Sequence, residues 1–495
     1  MLFPRFHRTI PFPMKYYVTT PIYYVNDKPH IGSAYTTIAA DVLARYHKQQ
    51  GHDVHFLTGT AEHGSKIAGS AKAAGQSPKA FVDKNVKFFK KAWEALDISY
   101  DDFIRTTEKR HEDAVKLFFD KLYKTGKLYE GEYEGLYCVG HEAFIKEGDL
   151  DDQGNCPDHG KPPEKIKESN WFFRLSDYGE FLREKITSGA LKISPEIRRN
   201  EVLSLIEQGL EDIAISRRTA KFALPLPWDK EQTIYVWLDE LFNYCSAIGY
   251  GKDKKKFKRY WPADVHIIGK DILKFHCVIW PALLDAIGEE LPKQVFAHGF
   301  FTINGEKISK TIGNVVDPVD LVTDYGADAI RYFLLRDIPF GNDGDFSHTR
   351  LKDRYNADLA NGLGNLVSRT LNMIQQYAPD QDYQANNKIL PREVKSALKL
   401  VDNYIEKLEF HHALAVIWSV IKTADNTIEE TKPWQLMKGG KEDRAQKVLA
   451  ELFQILLAVN KQIAPFLPDT HAKLDQLLSA RPIKKPSDPL FARKV

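Results

Sequence analysis

Residues 15–57 read KYYVTTPIYYVNDKPHIGSAYTTIAADVLARYHKQQGHDVHFL, and this stretch decides the fold. Lys15 to Thr20 is rich in Tyr, Val and Thr, side chains that suit a buried strand. From Gly32 to Gln50, Tyr35, Ile38, Ala39, Val42, Leu43 and Tyr46 recur at three-to-four spacing, which predicts a helix, and Gly51 stops it. Val54 to Leu57 reads as a second strand. Strand, helix and strand in so short a span make a βαβ unit, hence a parallel sheet. Such sheets place ligands at the carboxyl ends of their strands, beside helix N-termini whose free N–H groups and positive dipole end suit phosphate. Pro29-His30-Ile31-Gly32-Ser33 occupies that place. Gly32 lets a base or phosphate approach the backbone, and His30 can donate to a phosphate oxygen.

Outward from this unit, helical patterns follow over Ala80 to Leu96 and Glu108 to Thr125. From Gly126 to Pro163, Gly, Asp, Pro, His and Cys dominate with little periodicity, so 126–225 reads as an insertion with a small knuckle and some helix. The parallel pattern then resumes. Thr233 to Trp237, Val265 to Ile268 and Gln294 to Ala297 read as strands, and Asp271 to Ile287 as a helix broken by Pro281. After Gly344 the chain reads helical. Leu359 to Tyr377, Pro391 to Leu408, His411 to Thr431 and Lys441 to Ile463 carry apolar stripes, which predicts a separate C-terminal bundle.

Composition bounds the function. A chain of 495 residues exceeds one ordinary core, and 43% hydrophobic with 27% charged residues is globular. No apolar run approaches the roughly 18 residues that span a bilayer. Met1 to Pro13 carries Arg5 and Arg8 without an apolar core, so it reads as an extension and not as a secretory signal. The net charge of +2 leaves any RNA contact to local basic surface, of which Lys252 to Arg259 is one run. Four cysteines without a paired framework point to a reducing cytoplasm.

A second phosphate-handling segment is Gly305-Glu306-Lys307-Ile308-Ser309-Lys310-Thr311, followed by Gly313-Asn314. Two lysines flank a hydroxyl on a Gly-bounded loop, a cationic clamp able to neutralise charge on transferring phosphates. HIGS at His30 and KISKT at Lys307 resemble the HIGH and KMSKS signatures of the class I aminoacyl-tRNA synthetases. The likeness is more specific. Thr20 to Gly32, Phe56 to Thr60, Val236 to Asp239, Ile268 to Ile272, Pro339 to Ser347 and Lys432 to Trp434 look like methionyl-tRNA synthetases, over nearly the whole chain.

That resemblance implies an α/β protein: a Rossmann-like parallel-sheet catalytic domain, a connective zinc-knuckle insertion and a C-terminal α-helical bundle. The expected organisation is an extension (1–14), the catalytic domain (15–125 and 226–300) split by the insertion (126–225), a KMSKS-type loop with a stem-contact region (301–350), and an anticodon-binding bundle (351–495). The reaction implied is activation of L-methionine with ATP and transfer of the methionyl group to tRNA(Met), with Mg2+ accompanying the ATP. His30, Gly32 and Ser33 would face ATP, with Gly269 and Asp271 near the ribose and Lys307, Ser309 and Lys310 on the clamp; His30, Lys307 and Lys310 are the catalytic set. Methionine is apolar and polarisable, and its sulfur favours aromatic edges, so its pocket should be aromatic with one or two polar orienters. The resemblance implies Ile22, Tyr24, Trp237, Leu241, Tyr244, Ile272 and His276, with Tyr24 or His276 facing the sulfur. Asn365, Arg369 and Trp434 would read the anticodon.

The chain also departs from the family. An acidic residue usually follows the Thr of the TGT stretch and anchors the methionine amino group; here Ala61 stands there, followed by Glu62-His63-Gly64. Glu62 by a local shift, or backbone and water, would have to take its place. Cys138-x-x-His141 and Cys156-x-x-His159 can close a tetrahedral zinc site, usually with cysteine where His141 stands. Four ligands leave no open position, so that zinc would be structural. Valine, isoleucine and leucine enzymes need a large editing insertion, for which 126–225 is too short. No appended tRNA-binding domain is expected after the bundle, and a monomer is expected.

Overall fold

The computed structural model describes residues 13–138, 143–145, 147–157, 160–218, 220–307, 314–383 and 390–494. The side chain of Lys307, together with His141, His159, Ser309 and Lys310, lies outside this description.

The opening unit forms as its pattern requires. Strand β1 (Lys15–Tyr24), helix α1 (Ile31–Gln49) and strand β2 (Asp53–Ala61) are followed by helices α2 (Ser65–Ala73) and α3 (Pro78–Ala95), strand β3 (Asp102–Arg105) and helix α4 (Lys109–Tyr123). Strands β3, β2 and β1, then Val265–Gly269, Gln294–His298 and Lys192–Ser194, make a six-stranded sheet in that order. Every adjacent pair is parallel. The chain runs outward from β1 to β3 on one side and from Val265–Gly269 to Gln294–His298 on the other, with Lys192–Ser194 added at that edge, so the switch point lies between β1 and Val265–Gly269. The register of β1 against β2 shifts between Thr19 and Ile22. Pro21, which has no N–H to give the ladder, sits in that irregularity and re-aims Ile22 to Tyr24.

Several expectations change. Only Thr233–Ile234 is a strand; it pairs antiparallel with Ser216–Arg217, outside the parallel sheet. Val236–Leu241 is a helix, and Leu238 N and Asp239 N both donate to the Tyr235 carbonyl. Local β-propensity at Thr-Ile-Tyr-Val-Trp yields there to burial against the core. Asp271 to Ile287 is a 3-10 turn at Lys270–Ile272, a π-helical stretch at Phe275–Ile279 and an α-helix at Trp280–Ala286. Pro281 lies in the first turn of that last helix, where its missing N–H is harmless; the widened turn precedes it.

Gly126 to Pro163 has more order than its composition suggests. Leu128–Cys138 and Glu164–Phe173 form a long antiparallel hairpin, extended by Ala143–Ile145 and Ile213–Ala214. Charges cross it, with Glu134 bound to Lys165 at 3.1 Å and Glu132 to Lys167 at 3.5 Å. The edge strand Lys192–Ser194 of the catalytic sheet also arises from within 126–225.

Helices Pro318–Tyr325 and Ala327–Arg336 lead into the C-terminal bundle. There, a π-helical Tyr355–Gly364 runs into Asn365–Tyr377, followed by Arg392–Glu406, Phe410–Thr431, Pro433–Lys438, Glu442–Ile463 and Pro468–Ser479. The bundle is pinned to the catalytic half through Arg331, on the helix Ala327–Arg336. Arg331 meets Asp41 of α1 at 2.6 Å and donates to the carbonyls of Leu96, Pro465 and Phe466. Burial pushes the Asp41 carboxyl up, but Arg331 and Arg45 outweigh it and hold it below its ordinary value. Among the described residues no helix is long and apolar enough to cross a membrane.

Candidate active site

A cavity of about 860 Å3 opens at the switch point of the sheet. Three strand carboxyl ends and one helix N-terminus meet there: Pro21 to Tyr24 from β1, Gly269 to Ile272, His298 with Gly299, and the start of α1. The helix Val236–Leu241 and its continuation through Tyr244 close the far wall.

One side of the cavity is built on α1. His30 is its N-cap; the imidazole Nδ1 accepts from Gly32 N at 3.1 Å, and His30 N donates to Ser33 Oγ at 3.1 Å. Ser33 thus closes a capping box. A Cβ on Gly32 would stand 2.9 Å from the exposed His30 ring, so a larger residue there would displace the imidazole. No acidic residue lies in the first turn of α1, which leaves its positive end uncompensated by its own side chains. Lys270 and Asp343 pair at 2.6 Å across the mouth.

The other side is aromatic. Trp237 stacks on Phe275 with centroids 4.3 Å apart and meets the edge of Tyr24 at 6.1 Å. Tyr244 donates its hydroxyl to His276 Nε2 at 2.7 Å, because His276 Nδ1–H is committed to the Ile272 carbonyl at 3.0 Å. Burial pushes the His276 pKa down to about 4, so the ring is neutral at pH 7. The Tyr244 hydroxyl is held protonated, well above its ordinary value, also by burial.

Ile22, Tyr24, His30, Gly32 and Ser33 are therefore brought into one cavity with Trp237, Leu241, Tyr244, Gly269, Asp271, Ile272 and His276. Lys307 begins on the short strand Glu306–Lys307, paired antiparallel with Phe301–Ile303, and Gly305 beside it lines the cavity. The same cavity is lined by residues that sequence reasoning missed, among them Lys66, Glu240, Asn243 and His298. Glu240 had a legible signal: Trp237, Glu240, Leu241 and Tyr244 follow three-to-four spacing. His298 had none, since the Thr36 hydroxyl that meets its Nε2 at 2.6 Å is distant in sequence.

Ala61 is fully buried and pairs in register with Tyr24. Glu62 does not move in to replace the missing acid. It is buried off the cavity wall, held by two Arg105 nitrogens, Nε and Nη2, and by the hydroxyls of Thr60 and Thr107. Next to it, His63 Nδ1 and His111 Nε2 grip the two oxygens of Asp239 at 2.8 and 2.9 Å. Burial pushes the Asp239 carboxyl up, but the two imidazoles outweigh it and hold it well below its ordinary value.

Away from the cavity, Cys138 and Cys156 are buried cysteines at the ends of the hairpin region. With His141 and His159 outside the description, the described residues hold no group of three or more metal-ligand side chains. Asn365 is exposed and Arg369 half-buried on the helix Asn365–Tyr377, where Arg369 pairs with Glu429 at 2.7 Å. Trp434, on Pro433–Lys438, packs partly buried against the bundle core.

A parallel sheet whose switch point joins a helix N-terminus to an aromatic pocket, with a helical bundle fastened to it, fits a synthetase of class I. A family model described as tRNA synthetases class I (M) matches residues 16–165 and 155–371, and one described as the anticodon-binding domain of tRNA ligase matches 387–481. A methionine–tRNA ligase of Caldanaerobacter subterraneus subsp. tengcongensis is 48% identical over 471 residues, covering 94% of this chain and 74% of the relative. The methionine–tRNA ligase of Thermotoga maritima is 44% identical, over 96% of this chain and 76% of its own length. A solved Mycobacterium tuberculosis methionyl-tRNA synthetase in complex with methionyl-adenylate superposes with a TM-score of 0.90 at 38% identity, covering 97% of this chain and all of that one. The chain belongs to the methionyl-tRNA synthetases.

Proposed function

We infer that the chain is an ATP-dependent methionine–tRNA ligase whose two chemical steps take place in the cavity at the switch point. The observation that carries this reading is the meeting of the α1 N-terminus, with His30 and Gly32, and the Tyr24–Trp237–Tyr244 wall in one space. In the first step a methionine carboxylate oxygen attacks the α-phosphorus of ATP in line, and pyrophosphate leaves, with Mg2+ accompanying the nucleotide. In the second, a ribose hydroxyl at the 3′ end of tRNA(Met) attacks the acyl carbon, and AMP leaves. Neither step needs a covalent enzyme intermediate, so the protein's work is positioning and charge stabilisation.

His30, Gly32 and Ser33 hold the phosphates at the helix end, Gly269 and Asp271 the ribose side, and Lys307, Ser309 and Lys310 the departing pyrophosphate. Ile22, Tyr24, Trp237, Leu241, Tyr244, Ile272 and His276 enclose the methionine side chain. The neutral Tyr244–His276 pair gives the sulfur a polar neighbour without a charge. Asn365, Arg369 and Trp434 read unstacked anticodon bases by edge hydrogen bonds and stacking.

A zinc ion held by Cys138, His141, Cys156 and His159 would order the hairpin tip. The fit is supported by two buried thiols and by a tight turn at Cys156, where Cys156 N donates to the Lys161 carbonyl at 2.9 Å and Gly160 N to the Cys156 carbonyl at 2.8 Å. Metal analysis of the purified protein should find one zinc per chain, lost in Cys138→Ser. A monomer in the cytoplasm completes the reading.

Methionine-dependent ATP–pyrophosphate exchange, with every other amino acid as a control, tests the activity. Exchange with methionine alone is the expected result. Exchange with another amino acid would leave only the class standing, and tRNA binding without exchange would make the chain a non-catalytic tRNA-binding protein.

A further inference from the structure

We propose that Glu240 supplies the carboxylate that holds the α-ammonium group of the amino-acid substrate. This rests on the methionine reading of the cavity above. An amino acid brings one cation into a largely aromatic and apolar space, and a cation leaving water there needs a fixed anion near it. The usual place for that anion in the family is taken by Ala61, and Glu62 beside it is committed to Arg105, Thr60 and Thr107.

Among the described residues, three carboxylates line the cavity: Glu240, Asp271 and Asp343. Asp271 and Asp343 are exposed at the mouth, and Asp343 is ion-paired to Lys270. Glu240 alone is buried, at 5% exposure. It lies one turn from Trp237 and one residue from Leu241, on the helix that forms the aromatic wall.

That helix packs against the very end of β2 from which the acid is missing. Ala61 is the register partner of Tyr24, Tyr24 meets Trp237 edge-on, and Asp239 binds His63 at 2.8 Å. The charge absent from β2 thus reappears on the facing helix. Burial strengthens it as an ammonium partner, because its field is less screened than that of a surface carboxylate.

Exchange kinetics on the full chain test this. Glu240→Gln should raise the KM for methionine about 10- to 100-fold, the size of a lost hydrogen bond to a charged group. The KM for ATP should stay as it was, and Glu240→Asp should fall between. Adding Ala61→Asp to Glu240→Gln should recover most of the lost affinity by returning the charge from the opposite side. The desamino analogue 4-(methylthio)butanoate, used as a competitor, should inhibit the wild type and Glu240→Gln equally. An unchanged methionine KM, an equal rise in the ATP KM, or equal weakening of the desamino competitor overturns the proposal. If Glu240→Gln does not fold, Ala61→Asp alone decides, because a large gain in methionine affinity would show that the ammonium had no counter-ion. A wild-type chain with no methionine exchange would instead overturn the parent reading.

Discussion

His276 is charged in neither ring position at neutral pH, and that state depends on its neighbours. Tyr244 donates to Nε2, and Nδ1–H is committed to the Ile272 carbonyl. Tyr244→Phe removes the donor and leaves a buried acceptor unmet. It should destabilise the fold by about 1–3 kcal/mol and raise the methionine KM, as read from thermal unfolding and exchange kinetics. The histidines also set a pH window. Burial holds His276 and His298 at about 4, against about 6.5 in an unfolded chain. Below pH 6.5 the unfolded chain therefore binds protons that the folded one refuses, so stability falls as pH drops from 6.5 toward 4. Thermal midpoints should be level above pH 7 and decline below it, and His276→Gln should lessen the decline.

At the scale of an element, α1 shows how one strand-to-helix turn builds the site proposed for the phosphates. Its N-cap, its glycine and its capping serine form one short unit in which His30 packs over Gly32. Gly32→Ala would push a methyl into the imidazole while the helix itself survives. The expected loss is about 10- to 100-fold in the exchange rate, the scale of a small misplacement of a catalytic group. Unchanged far-UV circular dichroism would show that the helix remains. The helix Val236–Leu241 is the complementary case, because its four-residue repeat of wall residues matters more than the β-propensity of each.

For the whole molecule, the Arg331–Asp41 pair decides how the bundle sits on the catalytic half. Both side chains are fully buried, and Arg331 touches α1, the end of α3 and the turn before the last helix of the bundle. Arg331→Ala leaves Asp41 with only Arg45 and Ser99 as partners. The expected cost is about 3–5 kcal/mol, typical of breaking a buried ion pair from one side. Because the lost contacts join the two halves, aminoacylation of tRNA should fall more than amino-acid activation. Comparing the two assays on the same preparation checks this.

The βαβ opening and the four long bundle helices were legible in the sequence, because each is a local pattern that repeats at its own element's period. The hairpin Leu128–Cys138 was legible too and was missed: Glu130, Glu132 and Glu134 alternate with Tyr129, Tyr133 and Tyr137, a period of two concealed by Gly131 and Gly135. The helix at Trp237 was misread because Thr, Ile, Tyr, Val and Trp favour a strand until tertiary packing overrules them. Other features had no local trace. The Tyr244–His276 bond, the Thr36–His298 contact and the Arg331–Asp41 pair join residues that only folding brings together. Sequence alone determined which residue types are present to do the chemistry, since motif and periodicity are properties of neighbours along the chain. Only the tertiary structure decided that Glu62 is locked away while Glu240 reaches the cavity wall, because burial and partnership are properties of neighbours in space.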